Sequence, residues 1–236
     1  MTTVISFNGK RIDQLENIYI EDVDVSPIQL NPVSRQRPIA FGAEFVRMGG
    51  GTRNITITFA LLQQDIKERE KTMQSLRDML VIGSEKPLKL PQYDDRYLQC
   101  AVTQLPDYSY RKWYENKLKL VFTCFNNPYW TSSERIEVRC GTAFSVGGSA
   151  PPLMTIEWSP TSTVTNKVYS DGKNTMTFSQ IPAGDMVIDL NAQTAAVGSS
   201  SIMRYYAPDS TWITPKTGAN QTITGSGFVR YRERWI

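Results

Sequence analysis

The chain has 236 residues, 40% of them apolar and 21% charged, so it can bury a core and is not a disordered tail. Its formal net charge of +3 is small for this length and lacks the basic excess of a dedicated nucleic-acid binder. Histidine is absent, which removes Ser-His-Asp and Cys-His catalysis and every His-containing zinc site.

From Val4 to Val25 the pattern is strand-like, with Asn8-Gly9 as a hairpin turn and Ile18, Ile20, Val23 and Val25 as apolar positions. Glu21, Asp22 and Asp24 read as a solvated strand face, because a hard cation needs more oxygen ligands converging on one point. Between Ser26 and Gly51 the texture changes: Pro27, Pro32 and Pro38 alternate with Arg35, Arg37, Phe41, Phe45 and Val46. This segment is too long for an ordinary connection and too apolar for a linker. It either folds over the core of its own domain or forms an arm, an extended hairpin that packs on a neighbouring subunit.

Local signals agree best from Gly49 to Trp130. Gly49, Gly50 and Gly51 offer a permissive turn. Arg53 to Leu61 then alternates at period two, the mark of a half-buried strand. Asp65, three residues before Glu68, is placed to cap a helix whose Ile66, Met73, Leu76 and Leu80 share one face, with Gly83 and Pro87 beyond its end. Leu98, Cys100 and Val102 alternate, as do Leu118, Leu120, Phe122 and Cys124, and Pro128 stops the last of these strands. Between them, Pro106 to Asn116 is an aromatic connection with Tyr108, Tyr110, Trp113 and Tyr114 around Arg111 and Lys112, suited to an interface, a stacking surface or a hairpin tip.

Gly141 to Pro152, rich in Gly, Ser and Pro, is the best candidate boundary. Beyond it the chain reads as short strands at Leu153–Trp158, Thr175–Phe178, Asp185–Leu190, Ile202–Tyr206, Gln221–Thr224 and Phe228–Trp235, separated by turn clusters as in an antiparallel sandwich.

Catalytic motifs are missing. No Walker loop or dinucleotide fingerprint is present. The three cysteines, Cys100, Cys124 and Cys140, have no CxxC spacing and read as buried free thiols. Asp94-Asp95, Asp185 with Asp189, and Glu233 could in principle cleave glycosides, but adjacent residues in a turn point apart. The Asp185–Asp189 pair on a regular strand would be ~13 Å apart, too far for a retaining pair. Tyr205, Tyr206 and Trp212 could stack a sugar or fill a core. Arg230, Arg232 and Arg234 line one face of the last strand and could meet an acidic partner or solvent. Residues 1–6 lack the basic start and apolar core of a signal peptide, and no stretch approaches the roughly 18 apolar residues of a membrane span. Folding in a cytoplasm without membrane insertion is the expectation.

Taken in order, Phe7-Asn8-Gly9, the glycines leading into Arg53-x-Ile55-x-Ile57-x-Phe59, a helix with Leu76-Arg77 near its end, Arg96-Tyr97, and a strand running into Asn127-Pro128-Tyr129-Trp130 form a recognisable series. The series resembles the distal tail (Dit) proteins of long-tailed, siphovirus-type bacteriophages, over nearly the whole chain. The resemblance implies a mainly β protein. Residues 1–140 would form a ring-building, tail-tube-like α+β domain, an antiparallel sandwich or barrel with one helix. Residues 141–151 would be a linker, and 152–236 a galectin-like or carbohydrate-module-like sandwich. Gly184-Asp185 before Val187-Ile188-Asp189, and Trp212 with Gly218-Ala219-Asn220, carry that last likeness.

It further implies a structural protein of the virion tail tip, without enzymatic activity or cofactor. Such a protein forms a hexameric ring in the baseplate, between the tail tube and the host-adsorption apparatus. Its partners would be further copies of itself, the tail tube protein, a tail-associated or tail-fibre hub protein and a receptor-binding protein, with DNA only in passage through the channel. The resemblance favours the arm for Ser26–Gly51, with Arg35, Arg37, Phe41, Phe45 and Val46 at the subunit contact. The alternative is a carbohydrate-binding adhesin contacting the host surface through its second domain.

Overall fold

Strand periodicity governs both compact units into which the chain divides, Met1–Trp130 and Thr131–Ile236. The structure, a computed structural model, describes residues 4–15, 17–36, 43–62, 65–81, 83–106 and 117–236, with 31–36 and 43–50 described by their backbone.

The first unit contains β1 (Ser6–Phe7), β2 (Lys10–Arg11), β3 (Ile18–Val25), β4 (Gln29–Gln36), β5 (Ala43–Leu61), α1 (Ile66–Leu80), β6 (Lys86–Lys89), β7 (Arg96–Gln104) and β8 (Lys117–Cys124). Asn8 and Gly9 both have positive φ, 52° and 77°, so they close a two-residue hairpin between β1 and β2 whose twist matches its strands. The antiparallel order is β2-β1-β6-β7-β8-β5-β3. Ile55, Ile57 and Phe59 of β5 and Leu118, Leu120 and Phe122 of β8 are buried, because alternation sends every second side chain inward. The Phe7 and Phe122 rings meet at 5.1 Å.

Asp65 caps α1 as predicted, its Oδ1 accepting from the Lys67 N–H at 2.8 Å. Met73, Leu76 and Leu80 are buried, joined by Met79 and by Arg69. The stop differs from the expectation. The helix ends at Leu80, the Val81 N–H donates to the Arg77 carbonyl, and Gly83 does not take the left-handed conformation of a glycine cap.

The glycines at 49–51 form no turn. They lie within β5, which runs for 19 residues. A Cβ at Gly51 would sit 2.5 Å from Ile28 Cγ2 and 2.7 Å from the Gln29 carbonyl oxygen, so close approach of β4, not a special backbone angle, requires glycine there. Within Ser26–Gly51 the described residues form an antiparallel pair, β4 pairing with β5 from Gln29–Thr52 to Gln36–Ala43. Pro32 lies on β4, which has a neighbour on one side only among the described strands, the edge position to which proline is confined in sheets.

Trp130–Ser132 (β9) spans the boundary between the units. The second unit contains β10 (Ile136–Arg139), β11 (Phe144–Val146), β12 (Ala150–Trp158), β13 (Val164–Ser170), β14 (Thr175–Ile181), β15 (Met186–Asp189), β16 (Thr194–Val197), β17 (Ser200–Ser201), β18 (Gly218–Gln221) and β19 (Phe228–Trp235). One sheet runs β10-β19-β12-β15-β16-β17; β11-β18 and β13-β14 supply the facing pairs. Met154, Ile156, Ile188 and Val229 from the first and Phe144, Tyr169, Met176 and Phe178 from the second fill one core, the section of a β-sandwich. Ile202–Tyr206, expected as a strand, instead holds a 3-10 turn at Met203–Tyr205, and the strand expected at Gln221–Thr224 lies earlier, at Gly218–Gln221.

The expected boundary also moves. Residues 141–151 are not a linker, and the second unit begins at Thr131, before the predicted end of the first domain at 140. Phe144, Val146 and Ala150 are buried, and the Gly147 N–H donates to Glu233 Oε1 at 2.6 Å. Gly148 has φ +88°, and a Cβ there would lie 2.2 Å from the Arg234 carbonyl oxygen. Small residues mark close packing on β19 as well as flexibility, and composition alone does not separate the two.

Candidate functional site

The feature with the most unspent chemistry lies at the root of the hairpin. Ser26 ends β3's run, where its N–H and Oγ–H both donate to the Asn54 carbonyl and its Oγ accepts from the Asn54 N–H at 3.0 Å. This clamp fixes where β4 departs. Beyond it, residues 43–52 of β5 pair with β4, whereas 53–60 run between β3 and β8.

Arg53 is the first residue of that embedded stretch. It has the same parity as Ile55, Ile57 and Phe59, so it points inward, and it is 5% exposed. Its Nε and Nη1 have no acceptor among the described residues. Burial pulls the guanidinium's pKa down from its ordinary value, opposed by Cys124 and Tyr129. Arg53 opens on a shallow cleft of about 410 Å³ lined by Val25, Ser26, Pro27, Gln92, Tyr93 and Trp130. Tyr93 meets Trp130 edge-on at 4.9 Å, and the Arg96 guanidinium lies over the Tyr93 ring at 4.8 Å. In the sequence Arg53 stands only as the start of an alternating strand. A cation at the parity of the apolar face was the available signal.

Of the residues singled out for the subunit contact, Arg37 and Phe41 lie outside the described residues, as does most of the aromatic connection, 107–116. Arg35 and Phe45 are placed by backbone, opposite Glu44 and Ser34, and Val46 falls at a register shift beside them.

In the second unit the three arginines of β19 are engaged internally. Arg230 bridges Glu137 and Glu157, the Arg232 Nη1–H donates to the Ser132 and Ser133 carbonyls, and the Arg234 Nε–H to the Pro151 carbonyl. Tyr206 is held between Phe178, edge-on at 5.5 Å, and Trp212, stacked at 5.0 Å, while Arg204 covers the Tyr205 ring at 4.7 Å. These rings are partly buried against the core of the second unit, and Trp212 occupies one face of Tyr206.

The carboxylates considered for catalysis are acceptors in turns and ladders. Asp185 accepts from Ser159 Oγ at 2.6 Å, Asp189 from the Asn191 and Ala192 N–H groups, Glu233 from Gly147, and Asp95 lies 3.5 Å from Arg96. Glu21 pairs with Lys117 at 3.1 Å. All three cysteines are free, Cys100 and Cys124 buried, and the hydrogen bond to Cys124, with burial, raises the Cys100 thiol. Among the described residues no helix is long and apolar enough to cross a membrane.

No protein-family model matches the chain, and no curated protein sequence matches it. Two chains of the phage p2 baseplate in its activated conformation, with strontium and with calcium, align with TM-scores of 0.49 and 0.47 at 11% identity, over 92% and 93% of this chain and 90% and 91% of theirs. The crystal structure of SPP1 Dit, described as a paradigm of the hub adsorption apparatus in phages infecting Gram-positive bacteria, aligns at a TM-score of 0.78 with 13% identity, covering 100% of both chains. From end to end this chain has a Dit-like fold, that of the SPP1 protein.

Proposed function

We propose that this chain is a structural hub protein of a phage tail tip, built into the virion tail, where copies close into a hexameric ring between the tail tube and the adsorption apparatus. The observation that carries the reading is the full-length fold likeness to SPP1 Dit. The first unit builds the ring around a channel through which DNA passes. The second faces the adsorption proteins, among them a tail-associated hub protein and a receptor-binding protein. The work is scaffolding and needs neither catalysis nor a cofactor.

The β4–β5 hairpin suits this role because among the described strands β4 is paired on one side only, and the returning strand carries Phe45 and Val46. In a closed ring each subunit lays the same arm on the same groove of the next, with Arg35, Arg37 and Phe41 alongside. Solution mass and negative-stain images of the purified chain, alone and with tube protein, test the reading; a ring with a central opening is expected. Phe45→Asp should abolish the ring and leave the circular dichroism spectrum unchanged. A chain that stays monomeric under all these conditions overturns the hub, and rings that persist in the variant overturn the arm.

A further inference from the structure

We propose that Arg53 is the receptor for a single carboxylate carried by a neighbouring copy of this chain, at the root of the β4–β5 hairpin. A buried guanidinium whose Nε and Nη1 have no acceptor among the described residues is costly to the free chain, since those N–H groups have left water without gaining a partner. The cost is removed once an oxyanion enters the cleft. One carboxylate matches the site in charge: among the lining residues Arg53 is the one cation, and Ser26 and Gln92 are the neutral polar groups beside it. A phosphate dianion would be left half-neutralised there. The planar guanidinium suits a planar carboxylate, and the Tyr93 and Trp130 rings, in edge-on contact, flank the cleft in which the pair would form.

The position of the cleft names the source. It opens at Ser26 and Pro27, where β4 departs, so whatever docks along the hairpin brings its side chains to Arg53. The chain itself exposes suitable acids, Asp22 and Asp24 on β3 and Asp94 in the turn before β7. This source rests on the ring reading; the carboxylate site does not.

The test separates the two. Thermal unfolding of dilute wild-type protein and of Arg53→Met is followed in sodium acetate, chloride and phosphate at equal ionic strength. Acetate should raise the wild-type midpoint over chloride by roughly 2–4 °C and leave the variant unmoved. In chloride the variant should melt at the wild-type temperature or above, because it no longer buries an unpaired charge. At high concentration the wild type should form rings and the variant should stay monomeric. An acetate effect equal in both proteins, a larger Arg53-dependent effect of phosphate, or a variant that melts lower in chloride overturns the carboxylate receptor, and a variant that still forms rings overturns its neighbouring-copy source. An Arg53-dependent acetate effect in a wild type that never assembles upholds the site and overturns its neighbouring-copy source, and with it the ring.

Discussion

Glu85 holds Asn126 at two points: its Oε2 accepts from the Asn126 side-chain amide at 2.6 Å, and its Oε1 from the Asn126 backbone N–H at 3.2 Å. Oε1 also accepts from the Phe125 N–H at 2.7 Å, so one carboxylate just before β6 organises the Phe-Asn-Asn-Pro loop that follows β8. Bonds to a charged acceptor exceed neutral ones in strength. Glu85→Ala should lower the stability of the first unit by roughly 1–3 kcal/mol in a urea titration. Glu85→Gln, which keeps an acceptor but loses the charge, should fall between. A midpoint unmoved by the alanine would show the loop to be held by other contacts.

Arg230 of β19 stands opposite Glu137 of β10, its Nε 2.5 Å from Oε2, and also reaches Glu157 of β12, which in turn receives Arg135. The groups are partly exposed, so each pair alone is worth little, but three charges on three strands and Arg135 just before β10 form a network. Arg230→Met should cost about 1 kcal/mol at low salt and less at ~1 M salt, where screening reaches ~3 Å. Combined with Glu137→Gln, the loss should be smaller than the sum of the two single losses. Strict additivity would show that the cross-strand pair contributes nothing.

Among the described residues each unit has a carboxylate that should weaken it in acid, Asp13 in the first and Asp171 in the second. Burial pushes Asp13 up, but Arg11 and the Ile5 N–H outweigh it and hold the group below its ordinary value. Asp171 follows the same pattern: burial raises it, and the Asn174 and Lys173 N–H groups, the Asn174 side chain and Lys216 bring it down. A native pKa below the unfolded one, ~3.9, means that the stabilisation is complete above that value and is lost as pH falls through the native pKa. Asp13→Asn and Asp171→Asn should each be less stable than wild type at neutral pH and should narrow the gap below about pH 4. A constant gap from neutral pH into acid would rule out the linkage.

On α1, Leu76 is fully buried and Glu70 exposed. Leu76→Ala should destabilise the first unit by about 2–5 kcal/mol through lost burial and the cavity left behind. Glu70→Ala should stay within about 0.5 kcal/mol. Equal tolerance at the two positions, read from denaturant midpoints, would reverse the phase of the helix.

What could be read from the chain itself was whatever repeats over a few residues. Alternation located Lys117–Cys124 and Phe228–Trp235, spacing of three and four placed Met73, Leu76 and Leu80 on one face, and Asn8-Gly9 named its turn. These follow from backbone geometry, which imposes its period on any sequence that buries one face. The ordered series from Phe7-Asn8-Gly9 to Tyr129-Trp130 carried the Dit resemblance, and the fold agrees with it.

Tertiary structure decided what depends on partners far away in sequence. Gly147 and Gly148 look like a hinge until β19, some 86 residues later, is laid against them. Arg230, Arg232 and Arg234 look like a free basic face until Glu137, Glu157 and the carbonyls of Ser132, Ser133 and Pro151 take up their N–H groups. Arg53 has the parity of the core, but the burial of its Nε and Nη1 without an acceptor among the described residues emerges only when β3, β8, Tyr93 and Trp130 gather around it. A side chain's own period states which way it points. Whether it meets a partner, a void or water there is set by chain segments that local pattern does not reach.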